Sequence, residues 1–246
     1  MILIAFGTRP EWIKLLPVIK KIKGVIPYRL VFTGQHIDLL STIEEEVIQL
    51  KIQSHKNRLD SIISSIMNQD EIFENVDSVM VQGDTTSVFA IALAAFHRKI
   101  TIYHLEAGLR SFNKNHPYPE EFNRRAVSCM SDVHLCPTNN AADNLRNEKL
   151  DGKIHVVGNT VLDNLVGIPT SYGNEIIVTM HRRENHSSLD VWFQKINNLA
   201  KKFSQYDFII PLHPNPNVQK HRHLLTNVKV VDSMQHSEFI KKLANA

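Results

Sequence analysis

Residues 78–106 read Ser-Val-Met-Val-Gln-Gly-Asp-Thr-Thr-Ser-Val-Phe-Ala-Ile-Ala-Leu-Ala-Ala-Phe-His-Arg-Lys-Ile-Thr-Ile-Tyr-His-Leu-Glu. The short run Ser78–Gln82 stops at Gly83, the stretch Thr86–Arg98 has helical length, and Thr101–Leu105 resumes as a second short run. A strand that returns to its neighbour through a helix must run parallel to it, because an antiparallel pair needs only a tight turn. This one stretch therefore sets the class as α/β.

The same alternation continues in both directions. Ile2–Phe6 and Tyr28–Thr33 precede it as strands; Val133–Cys136 and Ile154–Val157 follow, and Glu175–Thr179, Asp207–Pro211 and Lys229–Val231 come after a gap. Several of these runs are apolar throughout, as strands covered on both faces are. Helical patterns lie between them at Glu11–Lys23, Glu120–Met130, Asn139–Glu148, Leu189–Phe203 and Ser237–Leu243. The expected fold is a doubly wound parallel sheet with helices on both faces.

The gap, Gly167-Ile-Pro-Thr-Ser-Tyr-Gly-Asn174, is the clearest turn-rich punctuation in the chain. It divides an expected first domain, 1–168, with six or seven strands, from a second, 174–246. The second holds three strand–helix units where such domains usually have five or six, so it is expected to be incomplete.

Composition excludes other classes. The 246 residues are ample for a packed core, and 43% of them are hydrophobic. The longest apolar run, Val88 to Phe96, is far below the roughly 18 residues needed to span a bilayer. The net charge of +3 is scattered rather than gathered into a stripe, so no nucleic-acid partner is expected. No basic region precedes the apolar N-terminus, and Cys129 and Cys136 lack metal-type spacing. These features lead us to expect a cytoplasmic protein with neither a membrane partner nor a dedicated metal site.

In open parallel sheets, ligands bind beyond the carboxyl ends of the strands. The segments expected there are Gly7-Thr-Arg-Pro-Glu11, Gly34-Gln-His36, Gly83-Asp-Thr-Thr86, Glu106-Ala-Gly-Leu-Arg110, His181-Arg-Arg-Glu184 and His213-Pro-Asn-Pro-Asn217. Each has a plain structural alternative. Gly7–Glu11 could be a helix cap, and Glu106 could form an ion pair with Arg110 or Arg124. Glu120 and Glu121 are about 100° apart on a helix, so only one can face a ligand, and Arg124 or Arg125 could pair with them one turn on. The glycine fingerprint of dinucleotide binding is absent, while an arginine in the first turn suits a diphosphate. The residues point to an enzyme acting on an anionic, nucleotide-linked small molecule.

Seven segments, in order, resemble the non-hydrolysing UDP-N-acetylglucosamine 2-epimerases: Phe6–Lys14, Val81–Thr86, His104–Arg110, Pro117–Arg124, Gly158–Val161, Thr179–Glu184 and His213–Asn217. The resemblance implies a glycosyltransferase-B-like pair of Rossmann-like domains and no redox cofactor. It implies interconversion of UDP-GlcNAc and UDP-ManNAc, for surface polysaccharide precursors, by anti elimination of UDP to a 2-acetamidoglucal and its re-addition. By motif match, Asp84, Glu106 and Glu120 are the acid/base candidates. Asp84 and Glu120 are favoured for proton transfer at C2, and Glu106 shares the task or holds the geometry. Arg9 and His181 resemble diphosphate contacts; Arg182, Lys14 and His213 are further substrate-site residues; Gln35 and His36 fall near the cleft or the family's allosteric site. A homodimer is also implied.

Trp12, Met180 and Ile37 depart from the family pattern, which has a small residue, a glycine and often a charged residue there. Family members also extend well over a hundred residues further, with a serine–glycine–glycine loop that helps clamp UDP, so weak or absent turnover is an expectation too. The alternatives are a non-catalytic nucleotide-sugar-binding remnant, a partner subunit of a full-length epimerase, or a glycosyltransferase of the same fold.

Overall fold

A computed structural model of the chain describes residues 1–35, 43–52, 56–180, 188–234 and 236–246. The chain forms two compact units, Met1–Asn164 and Leu165–Ala246.

The first unit is built on a seven-stranded sheet. Its strands are β1 (Ile2–Phe6), β2 (Tyr28–Phe32), β3 (Ile48–Gln49), β4 (Ser78–Gln82), β5 (Thr101–Leu105), β6 (Val133–Cys136) and β7 (Lys153–Val156), in the order β3-β2-β1-β4-β5-β6-β7. Every pairing is parallel; Ile4, for instance, lies opposite Leu30 on β2 and Met80 on β4. The order reverses between β1 and β4, where crossovers leave to opposite sides and open a crevice at the strand ends.

The helices of this unit are α1 (Arg9–Ile22), α2 (Arg58–Met67), α3 (Thr86–His97), α4 (Glu120–Met130) and α5 (Asn139–Asn147). Residues alternate across β1 to build two cores. Leu3 and Ala5 join Ile62 and Ile66 of α2 and Val88 and Ile91 of α3, whereas Ile4 and Phe6 join Trp12, Leu15 and Ile19 of α1. Trp12, the bulky departure from the family pattern, is only 7% exposed and lies with its ring centre 4.8 Å from that of Phe6. It is a core residue.

Of these strands and helices, β3 and α2 are not anticipated by the sequence patterns. β3 has only two residues, both exposed, so it carries no apolar signature. In α2 the buried face includes Ser61 and Ser65 beside Ile62 and Ile66, which breaks the apolar stripe.

The second unit carries β8 (Glu175–Ile177), β9 (Asp207–Leu212) and β10 (Lys229–Asp232), all parallel, in the order β10-β9-β8. Its helices are α6 (Leu189–Lys202), α7 (Pro216–Gln219) and α8 (His236–Leu243). Leu189, Phe193, Ile196 and Ala200 form one face of α6 and pack with Phe208, Ile210 and Leu212 of β9. Among the described residues no helix is long and apolar enough to cross a membrane.

Candidate active site

Three strand ends meet at the switch point of the first sheet. After β1 comes Gly7-Thr8, after β4 Gly83-Asp84-Thr85, and after β5 Glu106. Together with the start of α4 they enclose a cleft of about 300 Å³, lined by Thr8, Pro10, Glu11, Lys14, Gln35, Gln82, Gly83, Asp84, Thr85, Glu106 and Glu120. Asp84, Glu106, Glu120, Lys14 and Gln35 are therefore brought to one cavity. Arg9 opens α1 beside it. His213 lies in the second unit, exposed just beyond β9, where its Nδ1 accepts the Asn215 N–H at 3.1 Å. His36, His181 and Arg182 lie outside the described residues.

Glu106 follows β5 in the left-handed region, at φ 67°, a conformation that costs a non-glycine residue about 1–2 kcal/mol. Its N–H and that of Ala107 both donate to Leu135 O on β6. Glu106 Oε2 accepts Lys14 Nζ at 2.5 Å and also Gln82 Nε2, while Oε1 accepts Asn159 Nδ2 at 3.2 Å. The ion-pair partner is thus Lys14. Arg110, one of the two arginines expected there, instead forks onto Glu148 at 2.8 and 2.9 Å, and that pairing holds the Glu148 carboxyl below its usual range. Arg124, the other, pairs with Asp84. Lys14 reaches Glu106 from α1, while Arg110 is taken up by Glu148 and Arg124 by Asp84.

Asp84 follows Gly83 on a turn with φ 81° at the glycine. Burial raises the Asp84 pKa; the Arg124 guanidinium opposes this by charge and hydrogen bond. The main chain of the turn is held from two sides. His104 Nε2 donates to Gly83 O at 2.8 Å, and Asn123 Nδ2 donates to Asp84 O at 3.0 Å. His104 is fully buried, and desolvation lowers its pKa to about 4, so its ring is neutral.

The adjacent glutamates of α4 divide as helical geometry requires. Glu121 is fully buried and accepts the N–H groups of Ser111 and Phe112, each at 3.0 Å, with Arg124 at 3.5 Å. Glu120 lines the cleft, and its buried Oε2 has no hydrogen-bond partner among the described residues. Arg125 turns the other way, 4.0 Å from Glu148.

Gln82, Asn159 and Glu11 also shape the site, although the sequence singled none of them out for a role. Gln82 and Asn159 lie in quoted motifs, but nothing local shows that both reach Glu106. Glu11 looks like an ordinary helix-capping residue, yet it is only 2% exposed.

The fold and cleft define a doubly wound α/β protein with clustered acid–base groups at its switch point. A sequence model described as UDP-N-acetylglucosamine 2-epimerase matches residues 20–246. The UDP-N-acetylglucosamine 2-epimerase of Neisseria meningitidis serogroup A is 37% identical, over 97% of this chain and 73% of its own length. That of Salmonella borreze is 35% identical, over 100% of this chain and 74% of its own. A crystal structure of UDP-GlcNAc 2-epimerase from Neisseria meningitidis bound to UDP-GlcNAc superposes with a TM-score of 0.82 at 35% identity, over 97% of this chain and 74% of that one.

The chain belongs to the UDP-N-acetylglucosamine 2-epimerase family, whose named members are isomerases. It spans about three quarters of the length of these relatives.

Proposed function

We propose that this chain interconverts UDP-GlcNAc and UDP-ManNAc, with Asp84, Glu106 and Glu120 around the sugar. The observation that carries the proposal is the convergence of these three carboxylates and Lys14 on one cleft. The relatives' printed names supply the substrate.

C2 of the sugar bears no adjacent carbonyl, so its proton leaves only in concert with, or after, loss of the group on C1. One carboxylate takes the C2 proton while the C1–O bond to UDP breaks, leaving a C1–C2 double bond. A second carboxylate returns a proton to the opposite face of C2, and a UDP oxygen re-forms the bond to C1. The balance is zero in protons and electrons, and no redox cofactor is required.

Glu120 and Asp84 suit the two proton transfers. Glu120 Oε2 carries no competing hydrogen bond among the described residues, and burial makes Asp84 a stronger base than an exposed aspartate. Glu106 already accepts from three side chains, which suits holding an orientation more than moving a proton. Arg9, His181 and Arg182 are proposed contacts of the departing diphosphate, and Lys14 adds positive charge near it. His213, Gln35 and His36 are proposed for substrate or regulatory contacts, and the two-domain organisation, a homodimer and a cytoplasmic setting complete the proposal.

The test is proton NMR of the purified chain with UDP-GlcNAc in heavy water. Appearance of UDP-ManNAc with deuterium at C2 in both epimers is expected. A folded sample that binds UDP-GlcNAc without exchange at C2 would instead identify a nucleotide-sugar-binding protein.

A further inference from the structure

Glu11 does more than cap α1. Its Oε2 accepts the N–H of Gly7 at 2.6 Å and of Thr8 at 2.7 Å, and its Oε1 accepts the Thr85 hydroxyl at 2.5 Å. The first two bonds belong to the turn from β1 into α1. The third crosses to the turn from β4 into α3, where the same Thr85 oxygen also accepts the Val88 N–H at 3.3 Å. A capping glutamate needs only the N-cap N–H and is usually solvated. This one is buried, and burial pushes its pKa up against the hydrogen bonds from Thr85, Gly7 and Thr8 that pull it down. One carboxylate thus joins the two crossover turns on either side of the switch point, and Asp84 directly precedes the residue it grips.

The same geometry bears on anion binding. The Gly7 and Thr8 N–H groups at the start of α1 are where a phosphate sits in many doubly wound proteins. Here an internal carboxylate already occupies them, so the diphosphate must be held by side chains or by other elements.

We propose that Glu11 is a positioning residue that, through Thr85, fixes Asp84 for its proton transfer; this rests on the role given to Asp84 above. Glu11 lines the cleft, but both of its carboxylate oxygens are taken by the hydrogen bonds from Gly7, Thr8 and Thr85. The carbonyls of the two residues before Thr85, Gly83 and Asp84, are held by His104 and Asn123, and Arg124 pairs with the Asp84 carboxylate; Thr85 adds the anchor that reaches α1.

The experiment compares Glu11→Ala, Glu11→Gln, Thr85→Val and Thr85→Ser with the unaltered chain, reading kcat and KM for deuterium entry at C2. Misplacing a reacting group by a fraction of an ångström to one ångström lowers rates by roughly 10- to 100-fold. Thr85→Val and Glu11→Ala are expected to lower kcat by about that factor with KM changed less than about threefold. Thr85→Ser restores the rate, as does Glu11→Gln, whose amide oxygen can accept from Gly7 and Thr8 while its NH2 donates to Thr85.

Amide hydrogen exchange gives a second readout independent of turnover. If the clamp is as described, Glu11→Ala speeds exchange at residues 7–9 and also across 83–88. Acceleration confined to residues 7–9, an unchanged kcat in Thr85→Val, or equal losses in Thr85→Val and Thr85→Ser would overturn the proposal. Should the unaltered chain show no exchange at C2, the functional reading fails, and amide exchange alone decides whether the clamp exists.

Discussion

Lys14 Nζ lies 2.5 Å from Glu106 Oε2, joining the second turn of α1 to the end of β5 across 92 residues of sequence. The Lys14 and Glu106 side chains are 24% and 14% exposed. A pair this sheltered is much more sensitive to loss of one partner than a surface ion pair. The contact also fixes the side of the cleft on which the Glu106 carboxylate lies.

Replacing Lys14 with Met should therefore harm stability as well as activity. Removing one partner of a fully buried pair costs about 3–5 kcal/mol; the residual exposure here reduces that to about 2–3 kcal/mol. Urea denaturation of Lys14→Met, Glu106→Gln and the double variant measures it. The double variant should recover part of the Lys14→Met loss, and strict additivity would show that the two groups do not interact.

Neighbouring glutamates should behave oppositely. Glu120→Gln is expected to lower the rate of C2 exchange by about 10²–10⁴-fold, the range for a general acid or base, with stability changed by less than about 0.5 kcal/mol. Glu121→Ala removes the acceptor for two backbone N–H groups and should cost about 2–3 kcal/mol. Chemical denaturation and the NMR assay together separate them, and a destabilised Glu120→Gln would contradict the assignment.

His104 should contribute stability that rises with pH between about 4 and 6.5, while the raised carboxyls of Glu11 and Asp84 act in the opposite direction. His104 has a folded pKa lowered to about 4 by burial, below its unfolded value of about 6.5. At this site the unfolded chain therefore binds more protons in this window. The contribution is fully present above about pH 6.5 and is lost as pH falls towards 4, by about 3 kcal/mol at most. His134, also lowered by burial, acts in the same direction. Denaturation midpoints of the unaltered chain and of a His104→Gln variant at pH 5 and 7 test this: the variant should gain less stability between pH 5 and 7 than the unaltered chain, and equal changes would remove His104 as a source.

Gly108→Ala should destabilise the first unit strongly. Gly108 has φ +85°, and a Cβ there would lie 2.1 Å from Ala141 O on α5, a backbone atom that cannot rotate away. Left-handed strain and overpacking together are expected to cost about 2–4 kcal/mol. Thermal unfolding reads the effect directly. A melting temperature within a degree of the unaltered chain would mean that α5 can shift.

The strand and helix order was legible because it depends on local patterns. The runs Ile2–Phe6, Ser78–Gln82 and Thr101–Leu105 match their strands residue for residue, since apolar strands between turn residues leave little choice of boundary. The motifs after them could be placed on one sheet edge because a parallel sheet puts all its strand ends there. β3 was hidden because two exposed residues bury nothing.

Pairing among the charges was not legible. From sequence, Arg110 and Arg124 are as near to Glu106 as any cation, yet its partner is Lys14 on α1. Nor does anything in Gly7–Glu11 reveal that Glu11 reaches Thr85, 74 residues on. By itself, the sequence determined a doubly wound chain and the carboxylates that gather at its switch point, because periodicity and turn chemistry act within a few residues. Only the tertiary structure decided which carboxylate is clamped, which is paired and which keeps an oxygen unpartnered among the described residues. Hydrogen bonds between elements depend on where crossovers bring side chains in space, and local sequence does not encode that.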